Sequence, residues 1–216
     1  MNRALIVFIM IIFPLIKTYA AEVDASGIAP SAMAIRPLLP GMTLVDTCMQ
    51  DLDGNPVCSD RLFQQQPTVL VVYRGGWCPY CNAQLNRLKQ VEKHLITLGY
   101  QLIAVSPDSN LNVTKLRNRR NIRYTLLTDD KLALAKSLGL AYFLDKKMEN
   151  IYKEKYGVPY IDINGESRVS LPVPAVYIID TTGLVHFHYV NPNHKLRLDE
   201  KLLLTAAERA LIAMDI

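Results

Sequence analysis

The sequence predicts an α/β protein in which a central mixed β-sheet is flanked by helices. Short, almost continuously apolar runs at 68–73 and 101–106 are typical of central strands that are covered on both faces. A charged segment with helical spacing, 81–98, follows the first run. Near the C-terminus, a tight Asp-Thr-Thr-Gly turn joins 175–179 to 184–190, which favours an antiparallel pair.

The first 20 residues have the features of a secretory signal peptide. Arg3 precedes a wholly apolar stretch over 4–16, and small residues lie at 18 and 20, where a signal peptidase cleaves. The apolar stretch is shorter than the roughly 20 residues that cross a bilayer, so an uncleaved membrane anchor is the second choice. We expect a periplasmic or secreted protein with no stable membrane insertion after cleavage.

The rest of the chain is expected to form a leader and one domain. Residues 21–42 are rich in Ala, Pro and Ser without a clear period, so we interpret them as a leader that lies over the domain. The domain is predicted over 43–216, a length that buries a core without help from disulfides or metals. The cysteines are therefore free for chemistry.

A β-hairpin is predicted to open this domain. Residues 43–50 and 56–58 flank the turn 51–55, whose Asp-Gly pair supplies the positive φ of a hairpin. The strand 68–73 and the helix 81–98 come next.

Two further strand–helix units follow. A strand over 101–106 precedes a polar helix over 111–120, and a strand over 124–127 precedes a helix over 131–137 that Asp129 and Asp130 cap.

The end of the domain is less uniform. Residues 140–172 are interpreted as an insertion of mixed structure, because charges, tyrosines and glycines occur there without a period. The antiparallel pair and an amphipathic helix over 198–214 complete the domain. Strands that alternate with helices indicate an α/β layer structure.

Charge gives little indication of a partner. The net charge is +4, and basic residues are scattered apart from the run 115–123. Such a run occurs in nucleic-acid-binding proteins, but the exposed end of a solvated helix explains it more simply. Export also argues against nucleic acid, so we predict no such partner.

The strongest functional signal is the Cys78-Pro79-Tyr80-Cys81 motif, which lies between a buried strand and a helix. The N–H groups of a first helical turn favour a thiolate, so the first cysteine of such motifs has its pKa lowered from about 8.5 toward about 3.5–7.5. Cys81 lies one turn further and can resolve a mixed disulfide. We therefore predict that Cys78 attacks and Cys81 resolves, with no cofactor.

A zinc site and a purely structural disulfide are the alternative interpretations of this pair. Zinc needs four ligands, and the remaining cysteines and histidines do not form a second Cys-x-x-Cys. A four-residue loop closes little chain entropy, so a bridge there would stabilise the fold only slightly. We predict no bound metal.

The stretch 71–85, Val-Val-Tyr-Arg-Gly-Gly-Trp-Cys-Pro-Tyr-Cys-Asn-Ala-Gln-Leu, resembles the redox loop of the alkyl hydroperoxide reductase/thiol-specific antioxidant (AhpC/TSA) group, the peroxiredoxin-like branch of the thioredoxin superfamily. The segments 51–57, 104–108 and 173–180 agree with this resemblance, which covers most of 43–214. It implies a thioredoxin-like fold with an N-terminal hairpin extension. It also implies that Pro174 is a cis-proline that faces the redox loop.

The sequence departs from typical peroxiredoxins at the peroxide site. Those enzymes use Pro-x-x-x-Thr-x-x-Cys to hold the peroxide, and the corresponding residues here are Val71 and Gly75. Their active-site arginine aligns with Pro174, which is the thioredoxin arrangement. The buried aspartate of thioredoxin aligns with Val72, so proton transfer must use water or another residue.

Two neighbours of the motif are candidate supporting residues. Arg74 would lower the pKa of Cys78 and attract an anionic or peroxide substrate, or it would only end a strand in solvent. Trp77 would shield the sulfur and offer a docking face, or it would simply pack. We favour a mixed role for Trp77.

Cys48 and Cys58 lie on either side of the Asp-Gly turn, where antiparallel pairing would place them opposite each other. A structural disulfide is the first choice in an oxidising compartment. The alternatives are two buried thiols, or an auxiliary pair that exchanges with Cys78.

Three histidines near the C-terminus are also candidate ligands. His186, His188 and His194 would suit copper or zinc, but alternation along a solvated strand face already explains the spacing of the first two.

Three functions remain open. The first is a thiol–disulfide oxidoreductase that acts on protein or small-molecule disulfides and depends on an unidentified thiol electron donor. The second is a hydroperoxide reductase in which Cys78 forms a sulfenic acid that Cys81 condenses to a disulfide. The third is a copper-handling chaperone, whose usual Cys-x-x-x-Cys spacing is absent from this chain.

Overall fold

The structure is a computed structural model that describes residues 26–158, 160–163 and 165–214. The predicted signal peptide, 1–20, lies outside these residues, as do the first residues of the predicted leader. Within the described ranges, no helix is both long enough and apolar enough to cross a membrane.

Strands and helices alternate over residues 56–156, and five strands follow one another before the last helix. In chain order the strands are β1 (Cys48–Gln50), β2 (Pro56–Cys58), β3 (Thr68–Val72), β4 (Gln101–Ser106), β5 (Thr125–Thr128), β6 (Ala141–Phe143), β7 (Ile161–Ile163), β8 (Glu166–Arg168), β9 (Ser170–Pro172), β10 (Ala175–Ile179) and β11 (Val185–Val190). The α-helices are α1 (Ser59–Phe63), α2 (Pro79–Thr97), α3 (Asn110–Arg120), α4 (Ala133–Ser137), α5 (Lys146–Tyr156) and α6 (Glu200–Met214).

Seven strands form the central sheet, in the order β11-β10-β3-β4-β5-β1-β2. Strands β3, β4 and β5 are parallel, whereas β10 is antiparallel to β3 and β11 is antiparallel to β10. Every residue of β3 and of β10 is buried, as expected for strands covered on both faces. The predicted mixed sheet with flanking helices is confirmed.

The apolar residues of β3 divide the core into two layers. Because successive side chains of a strand point to opposite faces, Val69 and Val71 pack with α2 and α6, while Leu70 and Val72 pack with residues of α4. The redox motif lies in the first layer, where both of its cysteines are core residues.

Strands β1 and β2 form the predicted hairpin at the edge of the sheet. Asp51 Oδ1 accepts hydrogen bonds from the backbone N–H groups of Asp53 (2.9 Å) and Asn55 (2.8 Å), and Gly54 has a φ of +89°. Gln50 pairs with Thr128 of β5, which joins the hairpin to the main sheet.

Three helices begin two residues away from their predicted starts, and α6 begins at Glu200 rather than at residue 198. Helix α2 begins at Pro79 rather than at residue 81, because Cys78 is its N-cap and proline suits the first helical position. Helix α4 begins at Ala133 rather than at residue 131, because Leu132 adopts a left-handed φ of +54°. The carboxylate of Asp129 nevertheless caps α4, since it accepts two backbone N–H bonds from the first turn.

The segment 140–172, which is predicted to be an insertion of mixed structure, contains four short strands and one helix in its described part. Strands β6 and β9 pair antiparallel, as do β7 and β8, and α5 lies between β6 and β7. Tyr142, Val169 and Leu171 form part of a separate small core with Tyr152 and Tyr156 of α5. This segment contacts the redox loop through Trp77.

The prediction of a cis-proline at Pro174 is wrong, because the described residues contain no cis peptide bond. The trans isomer is the more stable form of most X–Pro bonds. Here the backbone runs directly from β9 into β10: the N–H of Val173 donates to Leu140 O (2.9 Å), and Ala175 already pairs with Val72. This path accommodates a trans bond.

Candidate active site

Cys78 lies at the junction between the loop after β3 and helix α2. It is the N-cap residue of α2, and its carbonyl oxygen accepts the N–H of Asn82 at 3.0 Å. The Asn82 side chain in turn donates to Gly76 O at 2.8 Å, which ties the loop to the helix. Cys78 is 1% exposed and Cys81 is 0% exposed, and both are free thiols.

The pKa values of the two cysteines are shifted in opposite directions. The hydrogen bond from the Cys81 thiol is the main cause that lowers the pKa of Cys78 to about 6; burial opposes it, and the charges of Arg74 and Arg197 assist it. Burial raises the pKa of Cys81 well above its ordinary value, and its interaction with Cys78 raises it further. At neutral pH the first sulfur is therefore a thiolate and the second a thiol.

Arg74 is buried, with 2% of its surface exposed, so the alternative of a solvent-facing strand end is wrong. Its Nη2 donates to the hydroxyl of Tyr152 at 3.0 Å. Its guanidinium carbon lies 5.1 Å from the ring centroid of Trp77 and 5.4 Å from that of Tyr152. The charge is thus held inside an aromatic cluster next to the redox loop.

Trp77 is half-buried under helix α5. Its ring is stacked on Tyr156, with centroids 4.9 Å apart, and meets Tyr152 edge-on at 5.4 Å. The packing part of its predicted mixed role is therefore present. Much of the indole that would form a docking face is taken by the protein's own α5.

Sequence reasoning missed Arg197, which lies in the loop before α6. Its Nη2 donates to Cys81 Sγ at 3.3 Å, while its Nε and Nη1 are buried without a hydrogen-bond partner in the described part of the chain. A single arginine far along the chain carries no local signal of this contact. Pro174 lines a narrow crevice together with Gln84 and Arg197, which places it on the Cys81 side of the site.

Asp108 is the second residue whose role was missed, although it ends the segment 104–108 that carries part of the family resemblance. Its Oδ2 accepts the N–H of Gly76 at 2.6 Å. Burial raises the pKa of Asp108 to about 6, and the negative charge of Cys78 raises it as well. A carboxyl group that titrates near neutral pH therefore lies against the redox loop.

A cavity of about 440 Å³ lies beside the redox loop, between it, α3 and α5. We call it the loop pocket. Its lining residues are Gly76, Trp77, Asp108, Asn112, Lys115, Leu116, Arg119 and Tyr156.

The prediction that the histidines lie on a solvated strand face is wrong. His186 and His188 are half-buried: His186 Nε2 bonds to Asp180 Oδ2 at 2.8 Å, and His188 Nδ1 bonds to Leu38 O at 2.9 Å. Burial and nearby cations lower the pKa of His194 to about 4. Within the described ranges, no group of three or more His, Cys, Asp or Glu side chains is arranged to hold a metal.

Cys48 and Cys58 are joined by a disulfide that lies away from the redox motif. They are opposite residues in the β1–β2 register, with Cα atoms 3.9 Å apart. Strands β4 and β5 separate this hairpin from β3, which leads into the redox loop. The geometry thus separates the two cysteine pairs.

Comparison with known sequences identifies related redox proteins. The sequence model of the AhpC/TSA family matches residues 40–188. The thiol:disulfide interchange protein DsbE of Pasteurella multocida is 22% identical over 206 residues, which cover 94% of this chain and 94% of that protein. The chloroplastic peroxiredoxin Q of Sedum lineare is 24% identical over 165 residues, 76% of each chain.

Comparison with solved structures gives the same fold. Peroxidoxin BcpB of Mycobacterium tuberculosis superposes with a TM-score of 0.58 at 18% identity, covering 82% of this chain and 96% of that one. Reduced Prx3 of Vibrio vulnificus in complex with hydrogen peroxide gives a TM-score of 0.62 at 19% identity, covering 79% and 99%. The fold is therefore that of the thioredoxin-like peroxiredoxins.

Proposed function

The chain belongs to the AhpC/TSA family, and on this basis we propose that it is an exported thiol–disulfide oxidoreductase that reacts through Cys78 and Cys81. Its relatives include both a thiol:disulfide interchange protein and peroxiredoxins, so the enzyme is a thiol–disulfide oxidoreductase or a thiol peroxidase. We choose these two residues because the pKa of one buried sulfur is lowered while the pKa of its buried neighbour is raised.

The reaction balances without a bound cofactor. The Cys78 thiolate attacks one sulfur of a substrate disulfide, the substrate S–S bond breaks, and one substrate thiolate leaves. Cys81 then loses its proton and attacks the Cys78 sulfur of the mixed disulfide, which releases the second substrate thiolate. Two electrons pass to the substrate, the Cys78–Cys81 disulfide forms, and an external thiol donor reduces it again.

Three further groups support these steps. Arg74 and Arg197 both lower the pKa of Cys78, and Arg197, whose Nη2 is 3.3 Å from Cys81 Sγ, would also stabilise the Cys81 thiolate as it forms. Asp108, with its pKa near 6, is our candidate for the group that takes up a proton at the redox loop.

The surroundings of Gly75 favour disulfide exchange over peroxide reduction. Gly75 aligns with the threonine that helps to hold peroxide in typical peroxiredoxins, but its φ is +147°. A Cβ at this position would overlap the indole of Trp77 and lie 2.7 Å from Oδ1 of Asp108. Pro174, which aligns with the peroxiredoxin arginine, offers no donor. Peroxide-holding donors of this kind are worth about 10²–10³ in rate each.

The direct test compares two substrates on one sample of reduced protein. We expect a slow second-order reaction with hydrogen peroxide and a fast one with a neutral aromatic disulfide. Both rates are also measured in Arg74→Ala and in the exposed control Arg209→Ala. A peroxide rate at the level of dedicated peroxidases, lost in Arg74→Ala but kept in Arg209→Ala, would show a peroxidase in which Arg74 replaces the missing arginine.

Export is the second part of the proposal. The pattern over 1–20 supports it, and so does the Cys48–Cys58 disulfide, because such bridges persist in oxidising compartments. N-terminal sequencing of the protein from a periplasmic or secreted fraction should begin at Ala21. Recovery of the intact N-terminus in the membrane fraction would instead show an uncleaved anchor.

A further inference from the structure

We propose that the loop pocket binds a small anionic substrate, a disulfide with carboxylate groups on an aromatic or apolar body, and presents it to Cys78. The inference rests on the proposed thiol–disulfide exchange and specifies its substrate. It assigns the enzyme to small-molecule disulfides rather than to disulfides of folded proteins.

The first argument concerns access to the Cys78 sulfur and the size of the loop pocket. The Cys78 sulfur is almost fully buried, and Trp77 beside it is covered by Tyr152 and Tyr156. Pro79 and Tyr80 are the exposed residues of the motif, so a folded protein would meet these two side chains rather than the sulfur. The loop pocket, by contrast, has a volume of about 440 Å³, which lies within the range of about 300–1,000 Å³ of small-molecule sites. Gly76 and Trp77, the two residues before Cys78, form part of its wall.

The second argument concerns the positive charge in the lining of the loop pocket. Lys115 and Arg119 lie one turn apart on α3 and both line the loop pocket. Neither takes part in an ion pair or a side-chain hydrogen bond with any other residue that the structure describes. Two cations that have no ion-pair partner among the described residues therefore line the pocket and would attract carboxylates.

The other lining residues fit the rest of such a molecule. The stacked rings of Trp77 and Tyr156, together with Leu116, supply an apolar wall for a flat body, and the amide of Asn112 adds a polar group. Asp108 is the acidic side chain of the lining, and the N–H of Gly76 holds one of its oxygens. Because burial raises the pKa of Asp108 to about 6, its opposing charge is weakened in mildly acid solution.

The chemical step needs no further reactant in a single turnover. One sulfur of the bound disulfide bonds to Cys78 and its partner leaves as a thiolate. Cys81 then loses its proton and displaces the second half, so one substrate disulfide and the reduced pair give two substrate thiolates, one proton and the Cys78–Cys81 disulfide.

The test uses two probes that differ in charge: dithiobis(nitrobenzoate), a dianionic aromatic disulfide, and dithiodipyridine, a neutral one. Single-turnover rates of the reduced protein are compared with those of Lys115→Gln/Arg119→Gln. The matched control is Arg117→Gln/Arg123→Gln, which removes the same charge from two exposed arginines outside the pocket lining. We expect the pocket variant to lose about three- to tenfold with the dianionic probe at low salt. Its rate with the neutral probe, and both rates of the control, should stay within about twofold.

Each contrary result is informative. An equal loss in the control variant would mean that only the overall field of the protein attracts the probe, and an unchanged rate in the pocket variant would remove the pocket from recognition. Faster reaction with a folded protein disulfide than with the dianionic probe would overturn the substrate class. If wild-type protein reacts with neither probe, the proposed function itself fails, which is distinct from a loss of charge selectivity.

Discussion

Nη2 of Arg197 lies 3.3 Å from Sγ of Cys81, although 116 positions separate the two residues in the chain. The cation therefore contacts the sulfur that is predicted to resolve, while its charge also lowers the pKa of Cys78, which is predicted to attack. Since the other guanidinium nitrogens of Arg197 have no hydrogen-bond partner in the described ranges, the contact with Cys81 is what anchors this side chain.

Substitution of Arg197 by glutamine should raise the pKa of Cys78 above its present value of about 6, because a positive charge that favours the thiolate is removed. The rate of Cys78 alkylation as a function of pH measures this shift. Arg209→Gln, which removes the same charge from the exposed face of α6, should leave the titration unchanged. An unmoved midpoint in Arg197→Gln would reduce this arginine to a packing residue.

Substitution of each redox cysteine by alanine should separate attack from resolution. Cys81→Ala should retain attack and accumulate a mixed disulfide on Cys78, with a raised Cys78 pKa because its strongest hydrogen bond is lost. Cys78→Ala should form no adduct at neutral pH, since burial keeps the remaining thiol protonated. Mass spectrometry of the intact protein detects the adducts. Rapid adduct formation in Cys78→Ala would reverse the two roles.

Asp108→Asn should stabilise the fold at pH 7. The pKa of Asp108 rises from an ordinary 3.8 to about 6 on folding, so the native state binds more protons than the unfolded chain between about pH 4 and 6, and stability falls as pH rises through this window. Asparagine removes the buried charge but can still accept the Gly76 N–H. The gain should reach up to about 3 kcal/mol at pH 7 and vanish near pH 4.

Urea unfolding at both pH values checks this expectation. Asp130→Asn is the control, because Asp130 is exposed and the substitution removes a solvated charge. The prediction fails if Asp108→Asn changes the free energy of unfolding equally at both pH values. Slower disulfide exchange in Asp108→Asn would support its proposed role in proton transfer.

Removal of the hairpin disulfide by Cys48→Ser/Cys58→Ser should lower the free energy of unfolding by about 2–3 kcal/mol, because the bridge closes a loop of about ten residues in the unfolded chain. Disulfide exchange at Cys78 should be unaffected, since β4 and β5 lie between the hairpin and the strand that leads to the redox loop. Unchanged stability with lost turnover would instead favour the auxiliary exchanging pair.

Gly75→Ala should destabilise the protein more than Gly99→Ala. Both glycines have a positive φ, of +147° and +91°, so backbone strain of about 1–2 kcal/mol is common to both variants. At Gly75 the added methyl group also meets Trp77 and Asp108, which adds about 1–3 kcal/mol, whereas nothing lies near Gly99. Thermal unfolding of the two variants measures the difference, and equal effects would contradict the crowded loop.

The parts of the fold that the sequence predicts well are those with local signals. The apolar runs of β3 and β10 identify central strands because both faces of each strand are covered. The predicted start of α4 is wrong by two residues, because the left-handed Leu132 interrupts the helical path. Strands β6 and β9 have three residues each and pair across an intervening helix, so no local period reveals them.

The residues of the candidate site also differ in whether the local sequence reveals them. Cys78 and Cys81 are recognisable because their spacing and helix position are local, whereas Arg197 reaches them only through the tertiary path of the chain. Asp108 was visible in a family segment, but its titration follows from burial, which the sequence does not specify. The cis form of Pro174 rests on resemblance alone, and its peptide bond, which lies between β9 and β10, is trans.

Helix α5 covers the indole that lies beside the Cys78 sulfur. Cys78 is 1% exposed, and the indole beside it packs against Tyr152 and Tyr156. The same burial protects the reduced state, because the susceptibility of a thiolate to oxidation rises with its exposure.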